Sequence, residues 1–298
     1  MISAPLQRVA EGLRREVENT LTNLGFLCRV FGRGKSATSI ERKISDNPGK
    51  YSEKGKLIQD SVGLRVVVYF PDDIEIIDKI LRNHYSCDVN ATSIDRPKKD
   101  EFSVTRHNLV FKTPEEWSHD LKYVQRSAPI DSTFEVQLRT ILSEGWHEVE
   151  HDLRYKRKSD WTSHDDLSRY LNGVVATLET SEWSMKKIFE DLAYRHYKSR
   201  NWDAMLHSVF RMRAIANLSS ELEALFKSDY KIGKEALRIN RGQLFQNLNS
   251  LAPKIPLTID NLVYLWNHYS LKNSDIERIT PGILLENFSA NLSRAARD

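Results

Sequence analysis

DSVGLRVVVYF, Asp60 to Phe70, decides the fold class. Its β-branched and apolar residues leave neither face polar beyond one acid and one arginine, which predicts a central strand buried on both sides. The polar run SDNPGKYSEKGK precedes it. DDIEIIDKILRNHY follows, with Ile74, Ile77, Ile80 and Leu81 at helical spacing. Upstream, Leu6, Val9, Leu13, Val17 and Leu21 predict an amphipathic helix over 3–24, FLCRVF (Phe26 to Phe31) a strand, and GRGKSATSIERK a turn and then a helix through Ile44. Downstream, HNLVF (His107 to Phe111) and STFEVQLRTI (Ser132 to Ile141) read as strands, and LSEGWHEVEHDLRYK opens a helix. The order αβαβαβ-β-α predicts an α+β fold, a mixed sheet flanked by helices.

After Lys158 the strand signals fade. Leu167, Leu171, Val174, Val175 and Leu178 share a helical face, and 202–218, 219–226, 233–251 and 259–271 read as helices joined by SDYKIG- and APKIPLT-type segments. The expected division is therefore a first domain over 1–195 and an all-helical C-terminal domain over 196–298. His207 and His268, each among apolar neighbours, read as packing residues.

Composition bounds the function. The chain has 298 residues, 40% hydrophobic and 29% charged, with a net charge of +3. That is enough chain for two cores and too little charge to imply nonspecific nucleic-acid binding. No run approaches the roughly 18 apolar residues of a membrane helix, and the N-terminal segment is amphipathic rather than a secretory leader. Cys28 and Cys87 stand in no metal-ligand spacing, and no cysteine follows Cys87, which excludes a zinc finger in the second half. A reduced, cytoplasmic protein is expected.

Two stretches carry chemistry. GRGKS lacks the leading glycine of a P-loop, because Arg29 stands there. Ser36 or Thr38 is placed to cap the next helix, and Lys35, Ser39 and Lys43, four residues apart, share one face. A helix N-terminus with two lysines suits a polyphosphate. In STFEVQLRT, Phe134, Val136 and Leu138 point one way, and Glu135, Gln137 and Arg139 the other. Asp60 on the neighbouring strand and Glu135 would make a two-carboxylate magnesium site, with phosphates filling the remaining positions.

GRGKSATSIERK, DSVGLRV, FEVQLRT and EHDLRYK, in this order and spacing, resemble the synthetase domain of the RelA/SpoT family over roughly residues 15–160. The resemblance implies a nucleotidyltransferase-like fold. It also implies transfer of the β,γ-pyrophosphate of ATP to the 3′-hydroxyl of GDP or GTP, with AMP released. Carried over by position, Arg33, Lys35, Ser39, Lys43 and Arg65 would bind ATP. Asp60 and Glu135 would hold Mg²⁺, with Glu135 also the general base. Phe102, His107, Gln137, Arg139, His151 and Lys156 would serve the acceptor side.

The family's G-Y-x-S-x-H loop is altered here. In KKDEFSVTRHNLVF, Glu101 stands for the glycine and Phe102 nearest the tyrosine, one residue too far from His107; aligned strictly on His107, the tyrosine position is Ser103. Three readings therefore stand: an alarmone synthetase; a toxin or phage-defence effector modifying adenine nucleotides or the tRNA 3′ end, with Arg96, Lys98, Lys99 and Arg106 as its basic patch; and a catalytically silent nucleotide-binding module. An antitoxin, a phage-protein trigger and assembly into a homo-oligomer stay open as partners. About 32 residues precede Arg33, too few for the hydrolase domain of long family members, and no hydrolase activity is expected.

Overall fold

The structure is a computed structural model describing residues 2–52, 55–94, 107–213, 216–251 and 255–295. Phe102 and the basic candidates Arg96, Lys98, Lys99 and Arg106 lie outside these. The chain divides into two compact units, 1–19 with 28–182 and 20–27 with 183–298.

The first unit holds helices α1 (Ser3–Asn23, whose last turn belongs to the second unit), α2 (Ala37–Ser45), α3 (Asp72–His84), α4 (Ser118–Gln125), α5 (Ile141–Leu153) and the first half of α6 (Asp165–Lys198). Among the described residues its sheet has five strands: β1 (Cys28–Gly34), β2 (Val62–Val68), β3 (Ser93–Ile94), β4 (His107–Lys112) and β5 (Thr133–Thr140), in the order β1-β2-β5-β4-β3. Among the described pairs of these strands, only β2–β5 is parallel. The middle position thus goes to β5. β2, expected at the centre, lies one place toward the edge, and only part of its second face is apolar, since Gly63 and Arg65 alternate with Val62, Leu64 and Val66.

Alternation sorts the sheet into two faces. Val30, Leu64, Val66, Phe134, Val136, Leu138, Leu109 and Phe111 are buried on one. Helices α1 and α3 cover this face, the second through Tyr85 at its end, whose ring packs 5.8 Å from Phe111 and 5.2 Å from Phe134. The buried stripe of α3 runs Ile76, Ile77, Ile80, Leu81, with Ile76 taking the place expected of Ile74. The opposite face carries Arg65, Glu135, Gln137 and Arg139, all half-buried.

The turn expected at GRGKS lies later than predicted, because β1 continues through Gly34 in register with β2. The two glycines lie on the face that meets α1. A Cβ on Gly32 would stand 2.7 Å from the Ala10 carbonyl oxygen, and one on Gly34 would stand 2.4 Å from the Gln7 amide nitrogen. These glycines are therefore a helix-packing feature, not a phosphate cradle. Gly34→Ala should push α1 off the sheet and lower stability by about 1–3 kcal/mol, the usual cost of overpacking. Thermal denaturation measures it, and an unchanged melting temperature would refute the packing account.

Helix α4 has no counterpart in the sequence reading. Only Leu121 and Val124 of it are buried, too few to establish a period.

The second unit is all helical: the end of α6, α7 (Trp202–Phe210), α8 (Ser220–Ser228), α9 (Tyr230–Ala236), α10 (Arg241–Leu251), α11 (Ile259–Trp266) running into a π-turn over Asn267–Leu271, α12 (Ser274–Ile279) and α13 (Gly282–Ala295). Three expectations are corrected. The 202–218 helix stops at Phe210, where Arg211 turns left-handed at φ 48°. The 233–251 helix is two helices. The SDYKIG joint is mostly helix α9, capped by the Asp229 side chain, which accepts from the Lys231 amide. Trp202 packs against Phe226 and Tyr230 in the core of this unit. His268 is a packing residue here, its ring 5.1 Å from Phe288, with burial and then Lys272 holding its pKa below the ordinary value. The residue-195 boundary expected from sequence falls inside the continuous helix α6.

Cys28 and Cys87 are both thiols. Among the described residues no helix is long and apolar enough to cross a membrane.

Candidate active site

Helix α2 begins where β1 ends. Ser36 is its N-cap, accepting from the Ser39 amide, and its hydroxyl donates to the Ser39 hydroxyl at 2.8 Å. Lys35 lies just ahead of the cap, outside the helix on which the spacing placed it, and Lys43 lies two turns on. The two close on one carboxylate: Lys35 Nζ lies 2.7 Å from Asp60 Oδ2, and Lys43 Nζ lies 2.8 Å from Asp60 Oδ1. Burial alone would raise the Asp60 pKa. The two ammonium groups outweigh it and hold the carboxyl below its ordinary value. The Lys43 ammonium is pulled down by burial but more strongly raised by Asp60, with smaller upward contributions from Tyr51 and Glu135.

That last contribution ties the two acids together. Glu135 lies in register with Gly63 of β2, three residues after Asp60, and both carboxylates act on the Lys43 ammonium. Both therefore lie within electrostatic reach of Lys43. Glu135 in turn begins a polar row along β5. Gln137 Nε2 donates to Glu135 Oε1 at 3.1 Å, and Arg139 NH2 donates to Gln137 Oε1 at 2.9 Å. Arg139 NH1 reaches Glu144 Oε2 at 2.9 Å, and Arg65 pairs with both Glu144 and Glu148 of α5. Burial and then the neighbouring Arg65 lower the Arg139 pKa. Burial also works against Arg65, but Glu144 and Glu148 raise it overall.

Glu144 and Glu148 escaped the sequence reading. Their signal is the i,i+4 pair of acids on α5, which presents both carboxylates on one helix face. Its target, Arg65, lies about eighty residues away in sequence and was not visible beforehand.

Other expected residues stand elsewhere. Arg33 is exposed on β1, in register with Gly63 and so on the polar face. His107 pairs in register with Leu138, which places it on the apolar face. It is buried there and bonds Asp78 of α3 at 3.0 Å. Beta-strand alternation, which put Glu135 in the polar row, keeps His107 out of it. His151 and Lys156 are about half exposed, and their described partners are Asp152 and Tyr155. They do not join the Glu135 cluster.

As a cation site the donor chemistry fits. Of the two hard carboxylates, Asp60 bonds the Lys43 ammonium and Glu135 acts on it electrostatically. Among the described residues no group of three or more His, Cys, Asp or Glu side chains forms an all-protein metal cage. Two carboxylates without a cage are what magnesium uses when phosphate oxygens complete its shell.

Residues 32–160 match the family model described as "Region found in RelA / SpoT proteins". Among solved structures, the small alarmone synthetase 1 from Bacillus subtilis is similar at 21% identity and a TM-score of 0.45, covering 62% of this chain and 92% of that one. The same protein bound to its product pppGpp gives 22%, 0.48, 64% and 95%. A GTP pyrophosphokinase family protein from Streptococcus pneumoniae gives 20%, 0.46, 63% and 90%. Among curated proteins, none matches. The matched residues 32–160 are the segment that holds the lysine–aspartate clasp and the β5 polar row.

Proposed function

We propose that the protein is an ATP-dependent pyrophosphokinase that transfers the β,γ-pyrophosphate of ATP to the 3′-hydroxyl of a guanine nucleotide. The observation that carries this reading is the shared Lys43. Asp60 clasps two lysines and Glu135 acts electrostatically on one of them, as suits a site where a charged donor must be both held and neutralised. The family match over 32–160 supports it.

In this reading Lys35, Lys43 and the exposed Arg33 bind the triphosphate, with Ser39 beside it at the start of α2. Asp60 and Glu135 would hold a magnesium ion, which would supply charge neutralisation at the phosphates. Glu135 accepts the proton of the acceptor hydroxyl. The hydroxyl oxygen bonds to the β-phosphorus, the bond from that phosphorus to the α-bridging oxygen breaks, and AMP leaves. Gln137 and Arg139 keep the Glu135 carboxylate in place, and Arg65 braces Arg139 through Glu144. When phosphate arrives, the lysines exchange one anion, Asp60, for another, so the clasp serves as a pre-positioned binding site.

The test is transfer from γ-³²P-labelled ATP to GDP, GTP, ADP, ATP and deacylated tRNA in turn, with magnesium. Label on GDP or GTP is the expected result. Label on tRNA or an adenine nucleotide instead would replace the acceptor assignment. ATP binding with no transfer to any acceptor would reduce the protein to a binding module.

A further inference from the structure

Helix α6 is largely exposed along its first half, yet one acid in it is buried. Glu182 is 6% exposed. Its carboxylate accepts the hydroxyl of Thr140, itself buried, and the backbone amides of Ser143 and Leu142 also bond to it. Thr140 is the last residue of β5 and the N-cap of α5, so strand and helix meet with no loop between them. A reciprocal box already closes this corner. Thr140 Oγ1 accepts from the Ser143 amide at 3.3 Å, and Ser143 Oγ accepts from the Thr140 amide at 3.2 Å. Glu182 adds a third element to it, from about forty residues downstream.

The corner is where the β5 row hands over to α5. Arg139 immediately precedes Thr140, and Glu144 lies one turn after it. The Arg139–Glu144 pair crosses the corner and belongs to the chain of contacts that starts at Glu135. A change in the angle between β5 and α5 would therefore be felt at the Glu135 carboxylate.

We propose that Glu182 is a positioning residue: it clamps the β5–α5 corner at Thr140, Leu142 and Ser143 and so holds the Arg139–Glu144 brace behind Glu135. Its carboxyl is costly to bury, and burial raises its pKa despite the three donors around it. A residue kept for stability alone would not need that charge, because an apolar side chain of similar size serves a buried position at least as well.

The kinetic part of this inference rests on the pyrophosphokinase reading, so the test has two arms. Glu182→Met keeps the volume and removes the acceptor. Its melting temperature should stay near the wild-type value while kcat falls about 10- to 100-fold with KM for ATP little changed, the scale of a misplaced catalytic group. Glu182→Gln, which keeps one accepting oxygen, should recover most of the loss. The second arm needs no activity. Amide hydrogen exchange at Leu142 and Ser143 should speed up in Glu182→Met and far less in Glu182→Gln. Wild-type kcat in Glu182→Met, a parallel loss of kcat and melting temperature, or unchanged exchange at the corner would each overturn the proposal. If the wild-type protein transfers pyrophosphate to none of the acceptors, the function reading fails and the exchange arm alone decides the role of Glu182.

Discussion

Glu135→Gln should lower kcat for pyrophosphate transfer by about 10²–10⁴-fold, the contribution of a well-placed general base. An amide of the same shape cannot take the proton of the acceptor hydroxyl and binds a hard cation poorly. Fold and stability should change little. Glu135 sits half-buried on the polar face, and its contact with Gln137 at 3.1 Å is between side chains that an amide can still bridge. The measurement is steady-state transfer from labelled ATP, with circular dichroism and thermal denaturation on the same samples. Full activity in this variant would remove Glu135 from the chemistry and, with it, the argument that the β5 polar row is catalytic.

Asp60→Asn should produce the second large effect, a fall in kcat of about 10²–10³-fold, comparable with removing one element of a preorganised electrostatic site. The carboxylate is the common anchor of Lys35 and Lys43, at 2.7 and 2.8 Å. Without it two ammonium groups repel each other across a gap that an amide does not neutralise, and the triphosphate meets lysines that are no longer pre-positioned. A stability signature follows from linkage. Burial raises the Asp60 pKa, but Lys35 and Lys43 lower it further, below the ordinary 3.8. The folded state therefore binds the proton less readily than the unfolded chain. The contribution is present above 3.8 and is lost as pH falls through the folded-state value. Denaturant unfolding followed as a function of pH should show wild-type stability dropping more steeply than that of Asp60→Asn in the acid range below about pH 4. Parallel curves for the two proteins would show that the clasp does not survive in solution.

Both predictions use residues whose place was legible in the chain. The alternation of STFEVQLRT assigned Glu135, Gln137 and Arg139 to one face, and the register places them there. Lys43 lies on α2 as its pattern implies, while Lys35 lies just before the helix, and the two meet at Asp60. The α1 stripe is buried from Leu6 to Leu21 as its period requires. These features are local. Strand alternation and helical periodicity are properties of the backbone itself, so they can be read before anything has packed.

Other features depended on which elements came to lie together. The same alternation rule that served Glu135 sent His107 to the apolar face, because the register of β4 against β5, not the strand's own pattern, decides which residues stand side by side. Gly32 and Gly34 resembled a phosphate loop in sequence and proved to be the surface against which α1 packs, a contact made by segments about two dozen residues apart. In the second unit the breaks at Arg211 and at 237–240 interrupt windows whose apolar content still read as helix.

The amino-acid sequence alone determined the α+β class and the polar face of β5, since each is a repeat of short period along one element. Tertiary structure decided that Asp60 joins the two lysines, that Glu144 and Glu148 hold Arg65, and that Glu182 closes the β5–α5 corner. In those pairs the partners lie from about twenty to about eighty residues apart, and no local rule couples them. They meet because burying the apolar face of the sheet under α1 and α3 leaves the charged side chains of the other face to satisfy one another.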